Sequence, residues 1–233
     1  MADTSVKMVD TSTLYCKVIY IVNSEWAAQR LGEIQTLMER STLYRRALAP
    51  TTTLTGCMGM AAAWLGWSMP ITEGRPFCLF WMATSLCCLI LAGLMIRRQA
   101  WVAEESFWSP PTRRVAMAML PALCCGGGLG MLAITQENLP EIFYWGLPPL
   151  WMLFYGCALF SAGFFMPRGI KLFGSLFVLT GLLLLSRAVL GSVDGVLPSM
   201  AHAHIIMGCS FGFMHFAYGI YLFMTENTST LES

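Results

Sequence analysis

Phe77-Cys-Leu-Phe-Trp-Met-Ala-Thr-Ser-Leu-Cys-Cys-Leu-Ile-Leu-Ala-Gly-Leu-Met-Ile96 runs without one charged side chain and ends on Arg97-Arg98. An α-helix rises about 1.5 Å per residue, so a run of this length matches the roughly 30 Å of hydrocarbon in a bilayer. A helix on the surface of a water-soluble protein would turn a polar face to solvent, and this stretch has none to turn. It reads as a membrane crossing, with the arginine pair at one interface.

Working outward, runs of comparable length and character lie at Thr52–Pro70, Val115–Ile134, Ile142–Met166, Ile170–Leu190 and Met200–Met224. Of the 233 residues, 56% are hydrophobic and 12% charged, about half the charged share usual in soluble domains. Such a chain lacks the polar residues to cover a water-soluble surface. The expected fold is all-α: a polytopic membrane protein with six transmembrane helices and a cytoplasmic amphipathic helix at the amino terminus. Three regions are expected: a cytoplasmic segment over 1–50, a transmembrane domain over 51–224 and a short cytoplasmic tail over 225–233. The formal net charge of +1 gives no electrostatic reason to expect nucleic acid as a partner.

Basic residues set the orientation. Lys7, Lys17, Arg30, Arg40, Arg45 and Arg46 precede the first run, Arg97, Arg98, Arg113 and Arg114 lie between the second and third, and Arg168 and Lys171 separate the fourth and fifth. The alternate connections hold only Arg75 and, if it lies outside the membrane, Arg187 beside Glu73, Glu137, Glu141 and Asp194. By the positive-inside rule both termini are cytoplasmic. No secretory signal pattern opens the sequence, since Glu25, Glu33 and Glu39 are mixed among its early basic residues.

From Ser24 to Arg46, Trp26, Leu31, Ile34, Leu37 and Met38 recur at helical spacing, with Glu25, Arg30, Glu33, Glu39 and Arg40 largely on the other side. Asn23 or Ser24 can cap the start, and Pro50 separates this helix from the first crossing. Two readings stand: a helix lying along the inner leaflet, or a docking helix for a cytosolic partner.

The nine cysteines fall mostly inside apolar runs, where they act as small hydrophobes, and no disulfide framework is expected. Cys87-Cys88 and Cys124-Cys125 are adjacent pairs, which diverge by about 100° on a helix and do not clamp one ion. Methionines are spread along the whole chain, a composition suited to flexible packing.

All three histidines, His202, His204 and His215, fall in the last run. On a regular helix the eleven residues between His204 and His215 are close to three turns, so both project from nearly the same face together with Gly208 and Gly212. Small residues at this spacing admit a second helix closely, which predicts a tight helix contact of Gly208, Gly212 and His215 and turns His204 toward protein, with the outer interface as the alternative place for His202 and His204. Two ligands roughly 16 Å apart along one helix cannot take both axial positions of one haem. A copper site built from His215, Met207, Met214 and Cys209, a His–Met haem and a dimer-spanning haem remain as metal readings beside a purely hydrogen-bonding role, which is preferred; neither haem nor copper is expected.

Arg187 is the clearest charge within reach of the membrane, either snorkelling to the outer interface or serving as a ligand-binding residue or ion-pair partner. Pro121, the run Gly126-Gly-Gly-Leu-Gly130 and Pro148-Pro149 interrupt regular helical bonding, and leave open a ligand cavity, a gate or close packing. Enzyme motifs for metalloproteases, serine hydrolases and phosphate binding are absent, and no residue is nominated as a nucleophile.

Met38-Glu-Arg-Ser-Thr42, Leu147-Pro-Pro-Leu-Trp-Met-Leu-Phe-Tyr-Gly156 and Phe211-Gly-Phe-Met-His-Phe-Ala-Tyr-Gly-Ile220 resemble a family of uncharacterised bacterial six-helix membrane proteins. The resemblance implies a bacterial inner-membrane location and transfers no activity. The leading functional expectation is a non-enzymatic sensor or regulatory subunit whose partners are the bilayer and a cytosolic or membrane protein. A small permease or channel is the alternative, and a haem- or metal-binding redox protein the third.

Overall fold

A computed structural model describes residues 48–69, 71–104, 106–166, 168–193 and 199–231, with 26 and 30–32 of the amino-terminal part. Two compact units divide the chain, Met1–Leu43 and Tyr44–Ser233. In the first, residues 26 and 30–32 are helical and the Arg30 guanidinium lies over the Trp26 ring at 5.4 Å from its centroid. The rest of the amphipathic helix expected over Ser24–Arg46 lies outside the described residues.

The second unit is helical, with no strand among the described residues. Its elements are α1 over 48–68, α2 Gly74–Val102, α3 Pro110–Thr135, α4 Glu141–Ala162 and α5 Arg168–Val193. The last element is one rod in three pieces: α6 Met200–Met207, a π-helical segment Gly208–Met214, and α7 His215–Leu231. Five helices among the described residues are long and apolar enough to cross a membrane: Gly74–Val102, Thr112–Thr135, Glu141–Ala162, Gly169–Gly191 and Met200–Thr225. The chain is thus a multi-pass membrane protein by helix length and apolarity.

The first expected crossing, Thr52–Pro70, corresponds to α1, which is not one of these five. Its apolar content is diluted by Thr51, Thr52, Thr53 and Thr55 and by Gly56, Gly59 and Gly66. The threonine hydroxyls do not stay unbonded: Thr52 donates to the Leu48 carbonyl at 2.6 Å, Thr53 to Ala49 at 2.8 Å and Thr55 to Thr51 at 3.0 Å. Such back-bonding satisfies a hydroxyl from within its own helix. Pro50 sits inside the helix instead of ahead of it.

Several elements overrun their apolar runs. The helix of Phe77–Ile96 continues past Arg97-Arg98 to Val102, and that of Met200–Met224 continues to Leu231. Propensity and i→i−4 bonding carry a helix beyond the bilayer, because hydropathy marks where lipid begins and not where hydrogen bonding stops. Ile142–Met166 shortens in the other direction, since α4 closes at Ala162 with Gly163 as its cap.

Burial shows which helix is central. Half of the most apolar window of α4 is buried, against 6% of that of α2. Glycines bring α4 and α5 into backbone contact: a methyl group on Gly156 would lie 2.7 Å from the Gly174 carbonyl oxygen, and one on Gly181 would lie 3.0 Å from that of Pro149. Pro148 and Pro149 are fully buried inside an unbroken α4. Gly126 and Gly130 of α3 are contact points too, for the Gly126 carbonyl accepts from the Trp151 indole at 3.0 Å and that of Gly130 from the Cys78 thiol at 3.3 Å. These prolines and glycines pack helices together.

Exposed aromatics gather at helix ends, as at membrane interfaces generally. Trp64 and Trp67 end α1; Trp101, Phe107 and Trp108 lie around the α2–α3 connection; Phe164 and Phe165 occupy the α4–α5 turn. Arg97, Arg98, Arg113 and Arg114 are all exposed beside the second group.

Candidate functional site

The last rod carries the polar groups sunk deepest in the bundle: His204, Ser210 and His215 are all buried. Isolated polar side chains at such depth must find partners within the protein. Each histidine finds a different set.

His204 is completely buried. The Trp81 indole N–H donates to its Nδ1 at 3.1 Å, and its Nε2 lies 3.1 Å from the carbonyl oxygen of Ile71. An indole can only donate and a carbonyl only accept, so the ring is the neutral tautomer with hydrogen on Nε2. Both nitrogens are thereby occupied. Phe77 and Phe80 set their rings edge-on at 4.9 and 5.8 Å between centroids. Gly66 of α1 lies so close that a side chain there would overlap the imidazole.

Eleven residues on, His215 is 5% exposed, and its Nε2 is 2.7 Å from the Tyr155 hydroxyl of α4. Tyr155, Phe173, Phe177 and Phe211 box the ring at centroid distances of 5.2, 5.2, 5.4 and 6.2 Å. Its Nδ1 is buried and turns back toward the Ser210 and Phe211 backbone of its own rod.

The shared face expected for the two histidines does not occur. His204 meets α1, α2 and the Ile71 carbonyl, whereas His215 meets α4 and α5. The cause is the π-helical segment between them, whose i→i+5 bonding winds through less angle per residue than an α-helix. Gly208 and Gly212 stay on the His204 side. A methyl on Gly208 would lie 2.5 Å from Cβ of Ala63, and one on Gly212 2.7 Å from the Met60 amide nitrogen. Gly219 abuts Thr53 in the same way. The tight contact predicted for the final crossing is therefore made with α1, by Gly208 and Gly212 with His204 at its end, and His215 stands outside it.

The four candidate metal ligands are dispersed. Met207 belongs to the core around Phe77 and Trp81, Met214 packs on the core around Phe173 and Phe177, and Cys209 is exposed. Among the described residues no three His, Cys, Asp or Glu side chains gather as for a metal ion. Arg187 is exposed on α5 and contributes to neither histidine's surroundings. His202 is exposed, with Nδ1 3.1 Å from the Ser199 hydroxyl.

Sequence reasoning missed Trp81, Tyr155 and the phenylalanine box. The available signal was thin: a buried indole or phenol needs a polar partner, and histidine is one of few side chains in these runs able to supply it. No family model, curated protein or solved structure matches this chain.

Proposed function

We propose that this protein is a non-enzymatic membrane sensor or regulatory subunit in a bacterial inner membrane, in which the π-helical segment of the final rod is the moving part. Six crossings, both termini in the cytoplasm, and an interfacial helix over Ser24–Arg46 complete this reading. The sixth crossing is α1, supported by its antiparallel match to the final rod: Thr53 abuts Gly219, Gly59 abuts Gly212, and Gly66 abuts His204. A helix paired along that length shares its depth in the bilayer. The grouping of exposed Arg97, Arg98, Arg113 and Arg114 supports the cytoplasmic side.

The observation that carries the functional reading is the π segment, Gly208–Met214, held between two differently anchored histidines. π turns inside α-helices recur at functional sites because one extra residue is held in the helix and can be expelled or moved along it. Moving it turns the part beyond it, here α7 and the carboxyl-terminal end, relative to the part before it. A hydrogen-bonded anchor on each side makes the two arrangements discrete, which a switching element requires. In this reading the chain carries no haem or copper, and its partner is a cytosolic or membrane protein.

Spin labels at Arg98 and Thr225, measured in lipid nanodiscs, test the proposal. Two distance populations are expected, with Tyr155→Phe shifting their ratio. A single population indifferent to Tyr155→Phe removes the moving part and the sensor reading with it. Absorption spectroscopy and elemental analysis of protein purified from native membranes test the absence of a cofactor.

A further inference from the structure

Between α4 and α5 an open groove of about 460 Å³ is lined by Cys157, Phe160 and Ser161 on one helix and Ser175, Val178 and Leu179 on the other. Beside it lies the glycine contact, where Gly156 and Gly174 let the two backbones meet. Ser161 and Ser175 set it apart from the rest of the bundle. Hydroxyls elsewhere in the helices are bonded back to their own chain, as Thr84 to Phe80 at 2.9 Å, Thr180 to Leu176 at 2.7 Å and Ser186 to Leu182 at 2.8 Å. Among the described residues Ser161 and Ser175 make no such bond, although both sit on helices facing hydrocarbon. A hydroxyl in that setting is costly unless something in the groove accepts from it.

One end of the groove is cationic. Lys171 precedes Ser175 by one helical turn on α5, Phe164 lies in the turn just past α4 with its ring 5.9 Å from that of Phe160, and the Lys171 ammonium lies 3.7 Å from the centroid of the Phe164 ring. Apolar walls, two free donors and an ammonium at the interfacial end therefore follow one another along a single track.

We propose that this groove binds one anionic phospholipid: its acyl chain lies against Phe160, Val178 and Leu179, the Ser161 and Ser175 hydroxyls donate to its ester oxygens, and Lys171 meets its phosphate. Charge complementarity selects lipid over a second transmembrane helix as the occupant, because an apolar helix offers the ammonium no anion and the hydroxyls no free acceptor. The proposal requires the membrane placement of α4 and α5 and does not rest on the sensor reading.

The test is native mass spectrometry of the full chain released from vesicles of equal parts phosphatidylglycerol and phosphatidylcholine. Wild type is expected to retain one phosphatidylglycerol in preference to phosphatidylcholine. Lys171→Gln should reduce that preference about fivefold, the effect of one cation near an anionic lipid. Ser161→Ala with Ser175→Ala should lower retention of both lipids without changing their ratio, and Leu179→Trp, which fills the groove from an exposed position, should abolish it. Equal retention of the two lipids by wild type, or unchanged retention in Leu179→Trp, overturns the proposal. So does a lipid-free dimer that Leu179→Trp dissociates.

Discussion

The indole N–H of Trp81 donates to Nδ1 of His204 across 123 positions of sequence, 3.1 Å from nitrogen to nitrogen and wholly buried. With Nε2 committed to the Ile71 carbonyl, the imidazole is a structural pin that ties the final rod to α2 and to the segment before it. Trp81→Phe keeps an aromatic ring but removes the donor, so it should destabilise the fold by about 1 kcal/mol, the range measured for hydrogen bonds between transmembrane helices. A double-mutant cycle of Trp81→Phe with His204→Leu, followed by thermal unfolding in detergent, should show coupling of that order. Additive losses would mean the bond contributes nothing.

Glycines that share a helix pattern should differ sharply when replaced. A methyl on Gly212 would lie 2.7 Å from the backbone nitrogen of Met60, which cannot move without shifting α1, whereas one on Gly128 meets nothing within 4 Å. Gly212→Ala is expected to lower the melting temperature and loosen α1 from the rod. Gly128→Ala should be neutral or stabilising by about 0.5–1 kcal/mol, the helix-propensity difference between the two residues. Melting curves of the two variants side by side decide the matter.

His215 should tolerate an amide better than an alkyl group. His215→Gln can still bond the Tyr155 hydroxyl and should keep most of the fold, while His215→Leu leaves that phenol buried without its partner and should cost about 1–2 kcal/mol. Haem or copper bound stoichiometrically to wild type and lost in His215→Gln would show instead that the imidazole is a ligand.

Topology is open to direct labelling. Cysteines introduced at Arg98 and Arg113 are expected to react with a membrane-impermeant reagent only after the inner face is opened, as is one in the carboxyl-terminal tail. A carboxyl terminus labelled from outside would require an odd number of crossings and remove α1 or another helix from the count. Labels along Ser24–Arg46 should alternate in water accessibility with helical period; uniform accessibility would exclude the interfacial helix.

Sequence alone determined the class of this protein. Charge-free runs such as Phe77–Ile96 must be helical and membrane-embedded, because only a helix satisfies its own backbone without water, and that argument needs no neighbour. Gly208 and Gly212 were likewise legible as a place of close approach, since a missing side chain is a local property. What approached them was not: α1, Trp81 and Tyr155 became partners through helix arrangement, which apolar runs alike on every side leave unspecified. Proximity in the fold decided which histidine met which ring. The phase between His204 and His215 escaped for a sharper reason. Counting residues assumes one helical pitch, and in the tertiary structure Gly208–Met214 takes another, so of two imidazoles assigned to one face His204 meets Phe77 and Trp81 and His215 meets Phe173 and Phe177.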